Sequence, residues 1–170
     1  MSIYIALGGN LEGPAGPPRA TLEAALKRLE AAGVTVRRRS RWYRSPAWPD
    51  PADPAYINAV AEVETDLGPR DLLALLHRIE DELGRVRGRP NAPRPIDLDL
   101  LDYRGAVLGG EAGGPVLPHP RLHRRAFVLL PLAEIAPGWR HPVSRRDVSA
   151  LIADLPPDAV ASPLEAAPRD

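Results

Sequence analysis

Asp97-Leu98-Asp99 is the sharpest chemical signal in this 170-residue chain. In an extended segment residues i and i+2 point the same way, so both carboxylates project together while Ile96, Leu98 and Leu100 face a core. Two like charges that close repel unless a cation lies between them. Hard oxygen ligands suit Mg2+, which takes one or two carboxylates plus phosphate oxygens and waters. The plainer reading is the solvated outer face of an amphipathic strand. The surrounding arginines favour a ligand. No acid lies between Glu82 and Asp97, but Arg85, Arg87, Arg89 and Arg94 do. A second acid-free stretch, 115–133, carries Arg121, Arg124 and Arg125 with His119 and His123. Guanidinium groups grip phosphate bidentately, and phosphoryl-type transfer needs positioning and charge neutralisation rather than a protein nucleophile. Two basic loops around one acidic pair point to a local anionic ligand.

Other signals are weaker alone. Tyr56-x-Asn58 offers a flat ring for stacking and an amide able to read a donor–acceptor edge; a core tyrosine beside a surface asparagine has the same pattern. His119 stands between Pro118 and Pro120 on a fixed turn, as a phosphate donor or as a structural histidine. Phe127, the only phenylalanine, reads as core. Gly8-Gly9-Asn10 follows a strand-like run but matches neither the P-loop nor the dinucleotide fingerprint, so it is set aside as a phosphate cradle.

The elements that must position these residues follow from periodicity. Ile3-Tyr4-Ile5-Ala6-Leu7 reads as a buried strand ended by Gly8-Gly9. Leu22, Ala25, Leu26 and Leu29 recur at helical spacing before Gly33. Residues 34–43 read as a charged, edge-like strand, and 45–54, with four prolines, as irregular. Residues 56–64 alternate as a strand, with Ile57, Ala59, Ala61 and Val63 on one face. Pro69 opens a second helix carrying Leu72, Leu75, Leu76, Ile79 and Leu83, closed by Gly84. An arginine- and proline-rich loop over 85–95 leads into a strand over 96–103. A glycine-rich excursion follows, then a helical stretch around 127–135. This order predicts an α+β, ferredoxin-like (βαββαβ) antiparallel sheet. Helices should cover one face and leave the other partly free for a site, with a C-terminal helical extension. A single domain over 1–155 is expected, and 156–170, without periodicity, reads as a poorly ordered tail.

Composition bounds the class. Apolar residues make up 44% and charged residues 26%, the balance of a globular protein rather than a disordered one. Formal charge is zero, from 22 basic and 22 acidic residues, so no global field gathers nucleic acid. Lys27 is the only lysine among the basic residues. Without cysteine a disulfide framework or zinc–thiolate site is excluded. No apolar run is long enough for a membrane span, and the start lacks a basic n-region. A cytoplasmic protein is expected, and without heptads or long apolar surface runs, a monomer.

Taken in order, the motifs resemble the 6-hydroxymethyl-7,8-dihydropterin pyrophosphokinase family. The matching stretches are Tyr4-Ile5-Ala6-Leu7-Gly8-x-Asn10-Leu11, Tyr43-Arg44-Ser45-Pro46, Tyr56-Ile57-Asn58-Ala59, Arg78-Ile79-Glu80 and Gly84-Arg85-Val86-Arg87. Then come Pro93-Arg94-Pro95-Ile96-Asp97-Leu98-Asp99-Leu100, Pro118-His119-Pro120 and the run from Phe127 to Pro137. The resemblance implies transfer of the β,γ-diphosphate of ATP to the pterin hydroxymethyl oxygen, releasing AMP, in folate biosynthesis. It implies that Asp97 and Asp99 bind two Mg2+ ions and that Arg85 and Arg94 act on the phosphates as catalytic residues. Glu80, Arg87, His119 and Arg125 would complete the ATP site. Tyr56 and Phe127 would sandwich the pterin, Asn58 would bond its edge, and the segment with Ser45, Pro46 and Trp48 would close that pocket. Phe127 thus gains a role that its own pattern did not suggest.

The chain also departs from the family's usual pattern. Members often carry Arg-Trp-Gly-Pro-Arg before the acidic pair, where this chain has Pro90-Asn91-Ala92-Pro93-Arg94, and Pro120 stands where a tyrosine often follows the histidine. Two rivals remain for comparison. A nucleotidyltransferase also uses a D-x-D pair but releases pyrophosphate. An RNA-binding ferredoxin-like module needs exposed aromatics in an RNP-type run, and the sequence has none.

Overall fold

The computed structural model describes residues 1–47, 49–85 and 92–164. The chain runs β1 (Ile3–Gly9), α1 (Pro18–Ala31), β2 (Thr35–Arg39), β3 (Tyr43–Ser45), β4 (Tyr56–Glu64), α2 (Pro69–Glu82) and β5 (Asp97–Tyr103). A small hairpin of β6 (Leu108–Gly109) and β7 (Val116–Leu117) follows, then α3 (Ala126–Ile135), α4 (Val148–Ala153) and β8 (Ser162–Pro163). The main sheet is antiparallel, in the order β5-β1-β4-β3-β8, with β2 also paired to β4. No helix of the described residues is long and apolar enough to cross a membrane.

Each sheet face has its own core. On the first, Ile5, Leu7, Ala59, Ala61, Leu98 and Leu100 meet Leu22, Ala25 and Leu29 of α1 and Leu72, Leu76 and Ile79 of α2. The strand alternation and helical stripes of the sequence both arise from this contact. Gly84 ends α2 at φ +94°, and a Cβ there would meet the Pro14 ring at 2.6 Å, so the turn needs glycine on both counts. On the second face Tyr4, Ala6, Val60 and Leu101 pack against Val128, Leu129 and Leu132 of α3 and Val148 and Leu151 of α4. That face is therefore covered further than the sequence led us to expect. The reason is α3 itself, which buries Val128, Leu129, Pro131, Leu132 and Ile135 along a broad face.

Two other segments differ from expectation. The strand over 34–43 is broken into β2 and β3. At the break Ser40 turns inward, donating its N–H to the Val60 carbonyl and accepting the Val60 N–H on its hydroxyl at 3.0 Å. Trp42 is then fully buried, with the Arg39 guanidinium 4.4 Å from its ring. Within the proline- and alanine-rich stretch 156–170, expected as a loose tail, Ser162–Pro163 pair with β3. The edge of β3 has backbone groups to satisfy, and a two-residue pairing leaves no periodicity in the sequence.

Candidate active site

The register of the three central strands builds the site. Asp97 of β5 lies opposite Gly8 of β1, and Gly8 lies opposite Asn58 of β4. Asp99 lies opposite Ala6. Both β1 neighbours are small, so β1 leaves room beside the carboxylates. With two strand spacings between them, the acidic pair and Asn58 stand roughly 10 Å apart on one face. Over this row opens a pocket of about 840 Å³.

The acidic end is tightly wired. Arg85 donates to Asp97 at 2.8 Å and also pairs with Glu80. Glu80 is 1% exposed and accepts the Leu98 N–H at 2.8 Å. Burial pushes the Glu80 carboxyl above its ordinary range, against the pull of the Leu98 N–H and Arg85. The Arg85 guanidinium is held charged: burial opposes this, but Asp97 and Glu80 together outweigh it. Asp99 has weaker support, with Arg125 at 3.6 Å. Burial and the Asp97 charge push its carboxyl up to about 7. His119 lies 3.9 Å from Asp99 and accepts the Arg121 N–H on Nδ1 at 3.2 Å. Burial and the Arg125 charge lower His119 to about 4, so at neutral pH it is an uncharged ring whose Nε2 carries the proton.

Arg94 is placed by the residues set aside as a phosphate cradle. Asn10 accepts the Arg94 N–H at 2.8 Å, donates its own N–H to the Arg94 carbonyl at 2.9 Å, and donates its amide to Pro54 at 3.0 Å. At Gly9 a Cβ would lie 2.2 Å from the Pro95 carbonyl oxygen, so only glycine lets the loop sit on β1. Gly8-Gly9-Asn10 is thus a clamp for the arginine loop. The clamped Arg94 reaches the Tyr56 hydroxyl at 3.3 Å, and its buried Nε has no partner among the described residues.

At the other end Asn58 is buried and donates to the Ser45 hydroxyl at 2.8 Å. Ser45, Pro46, Tyr56 and Phe127 line the pocket beside it. Arg125 links the two ends, its guanidinium 5.4 Å from the Phe127 ring as well as near Asp99.

The structure therefore gathers Ser45, Pro46, Tyr56, Asn58, Arg85, Arg94, Asp97, Asp99, His119, Arg125 and Phe127 around one pocket. Glu80, expected at the nucleotide, is instead buried behind the strand and touches Arg85 and Leu98. Trp48 and Arg87 lie outside the described residues. Arg121 and Arg124 also line the pocket, as do residues of the 156–160 segment. The acid-free run 115–133 was the signal for the two arginines. Among the described residues no three carboxylate or imidazole groups form a ready metal cluster, so a cation here would need oxygen atoms from a ligand as well.

Residues 4–137 match the family model described as 7,8-dihydro-6-hydroxymethylpterin-pyrophosphokinase. The chain is 41% identical over 157 residues to the 2-amino-4-hydroxy-6-hydroxymethyldihydropteridine pyrophosphokinase of Synechocystis, covering 92% of this chain and 77% of that protein. It is 44% identical over 135 residues to the protein of the same name from Methylorubrum extorquens, covering 79% and 82%. Among solved structures, wild-type HPPK-DHPS of Plasmodium falciparum superposes with a TM-score of 0.68 at 13% identity. That alignment covers 90% of this chain and 41% of the Plasmodium chain, and at such identity it speaks for the fold alone. The chain belongs to the 7,8-dihydro-6-hydroxymethylpterin-pyrophosphokinase family.

Proposed function

We propose that this protein transfers diphosphate from ATP to the hydroxymethyl oxygen of 6-hydroxymethyl-7,8-dihydropterin, releasing AMP, in folate biosynthesis. The observation that carries this reading is one pocket lined by carboxylates and arginines at one end and by Tyr56, Phe127 and the buried Asn58 amide at the other. A volume near 840 Å³ lies in the range of ligand sites. We read the sheet as ferredoxin-like, with β2 and β3 sharing one strand position and α3 and α4 as the C-terminal extension.

Asp97 and Asp99 fit a pair of Mg2+ ions. They share a face and line the pocket, and the Asp97 charge adds to burial in pushing the Asp99 carboxyl up, a repulsion that a cation held by both would relieve. When bound, magnesium supplies charge neutralisation to the phosphate oxygens. The chain's own residues do the rest. Arg94 lines the pocket as a phosphate-binding guanidinium, and Asn10 holds the loop that carries it. Arg85 holds Asp97 in place and itself lines the pocket. Neutral His119 donates from Nε2 without adding charge beside Arg121 and Arg125. Tyr56 and Phe127 bind the pterin faces and Asn58 its edge, so the hydroxymethyl group is held in line with the β-phosphorus. The decisive experiment is incubation with hydroxymethyldihydropterin, ATP and Mg2+. AMP and a diphosphorylated pterin are the expected products. Pyrophosphate would move the protein to nucleotidyl transfer, and no turnover would overturn the assignment.

A further inference from the structure

The match to the family model ends at residue 137, yet Pro156, Asp158, Ala159 and Val160 line the same pocket as Tyr56 and Phe127. Chain connection explains their position. α4 packs on α3 and on the 3-10 turn Leu122–Arg124, at one side of the pocket. β8 pairs with β3 at the other side, with Ser162 opposite Arg44 and Pro163 opposite Tyr43. Leu164 then donates its N–H to the Trp42 carbonyl at 2.8 Å. The chain between these anchors has to cross the pocket mouth. Carried past the last pair, the β3–β8 register brings Val160 toward Pro46, at the ring end rather than the phosphate end.

The crossing segment is stiff. Pro156 and Pro157 have fixed φ angles, and Ala159 donates its N–H to the Pro156 carbonyl at 3.0 Å, closing a turn. Val160 is 51% exposed beside this opening, an apolar side chain with little else to cover.

We propose that residues 156–160 form an outer wall of the pterin subsite, and that Ala159 and Val160 decide which ring substituents it admits. The proposal rests on the pterin reading of that end of the pocket. Small apolar side chains on a rigid crossing leave a slot for a flat heterocycle and exclude bulk at its edge.

The test uses full-length Ala159→Phe and Val160→Gly, with separate KM values for the two substrates, thermal melts, and a pterin bearing an enlarged ring substituent. Ala159→Phe should raise the pterin KM about tenfold or more while the ATP KM stays within about twofold, since one misfitted group in a pocket changes selection by 10–200-fold. Val160→Gly should improve kcat/KM for the enlarged pterin relative to the parent by about fivefold or more. Both variants should melt as the wild type does. An unchanged pterin KM and unchanged discrimination in active, folded variants would overturn the wall alone, as would equal rises in both KM values. A wild type that releases no AMP overturns the wall together with the pterin reading.

Discussion

Asp97 accepts a hydrogen bond from Arg85 at 2.8 Å, whereas Asp99 has Arg125 only at 3.6 Å and its neighbour's charge against it. Their asparagine variants should therefore part company in stability while agreeing in activity. Asp97→Asn and Asp99→Asn should each slow AMP release by about 10²-fold or more, the effect of roughly 3 kcal/mol of lost transition-state stabilisation. In the presence of a chelator Asp99→Asn should melt at or above the wild type, because a repelled, buried charge is gone. Asp97→Asn should melt lower, having weakened the Arg85–Glu80 triad. Steady-state AMP assays beside thermal melts test both, and near-wild-type turnover in either variant removes that aspartate from the active set. At the ring end, Tyr56→Ala and Phe127→Ala should each weaken pterin binding by about 1–3 kcal/mol, by analogy with base stacking. Calorimetry should find ATP affinity far less changed; unchanged pterin affinity would argue against the sandwich.

Turns and loops are tied to strands by single polar side chains. Asn10, 4% exposed, joins β1 to both the Arg94 loop and Pro54. Asn10→Ala leaves buried backbone groups unpaired, at about 1–3 kcal/mol. It should also lower kcat, because Arg94 loses its seat although no ligand contact is removed. A variant with normal turnover and a lowered melt would make Asn10 purely structural. Glu134 of α3 plays a similar part for the start of β3. It accepts from the Tyr43 hydroxyl at 2.7 Å, from the Arg41 N–H at 2.6 Å and from the Arg41 side chain at 2.8 Å. Burial pushes the Tyr43 hydroxyl, with help from Glu134, up to about 12, so it remains a donor. For Glu134 burial acts upward too, but the bonds from Arg41 and Tyr43 outweigh it and hold the carboxyl below the ordinary range. A carboxyl depressed on folding contributes stability that is whole above its unfolded pKa of about 4.3. The contribution fades as pH falls through the lower folded value. Glu134→Gln should melt below the wild type at pH 7, and the gap should shrink in melts taken progressively below about pH 4. A gap independent of pH would show that shape, not charge, matters there.

The molecule as a whole is a sheet between two cores, and one buried polar contact joins the second core to the strand bearing the acids. Asp102 of β5, 5% exposed, accepts from the Trp139 indole at 2.8 Å and from the Gly105 N–H at 2.9 Å. Trp139→Phe keeps an aromatic side chain but leaves a buried carboxylate oxygen without the indole N–H, so urea unfolding should show a loss of about 1–3 kcal/mol. The loss should come with little change in either KM, since Trp139 lies within the second core and does not line the pocket. A neutral result in urea would mean that water replaces the indole.

Local patterns determined a good deal. The parity of a strand placed Asp97 and Asp99 on one face and Asn58 on the polar side of β4, because side chains alternate whatever the partner strand. The stripes of α1 and α2 and the glycines that end them were legible for the same reason: each depends on neighbours within a turn or two. The motif order carried the family. Tertiary structure alone decided which residues stand across from one another. That Gly8 lies between Asp97 and Asn58, and so sets the acidic pair and the buried amide two strands apart, is a matter of register between segments far apart in sequence. Glu80 sits in an amphipathic helix like any surface acid, and only the packing of α2 on β5 turns it inward to Leu98 and Arg85. The final proline-rich stretch has no period to read, since its place comes from two anchors, α4 and the β3 edge, rather than from any pattern of its own.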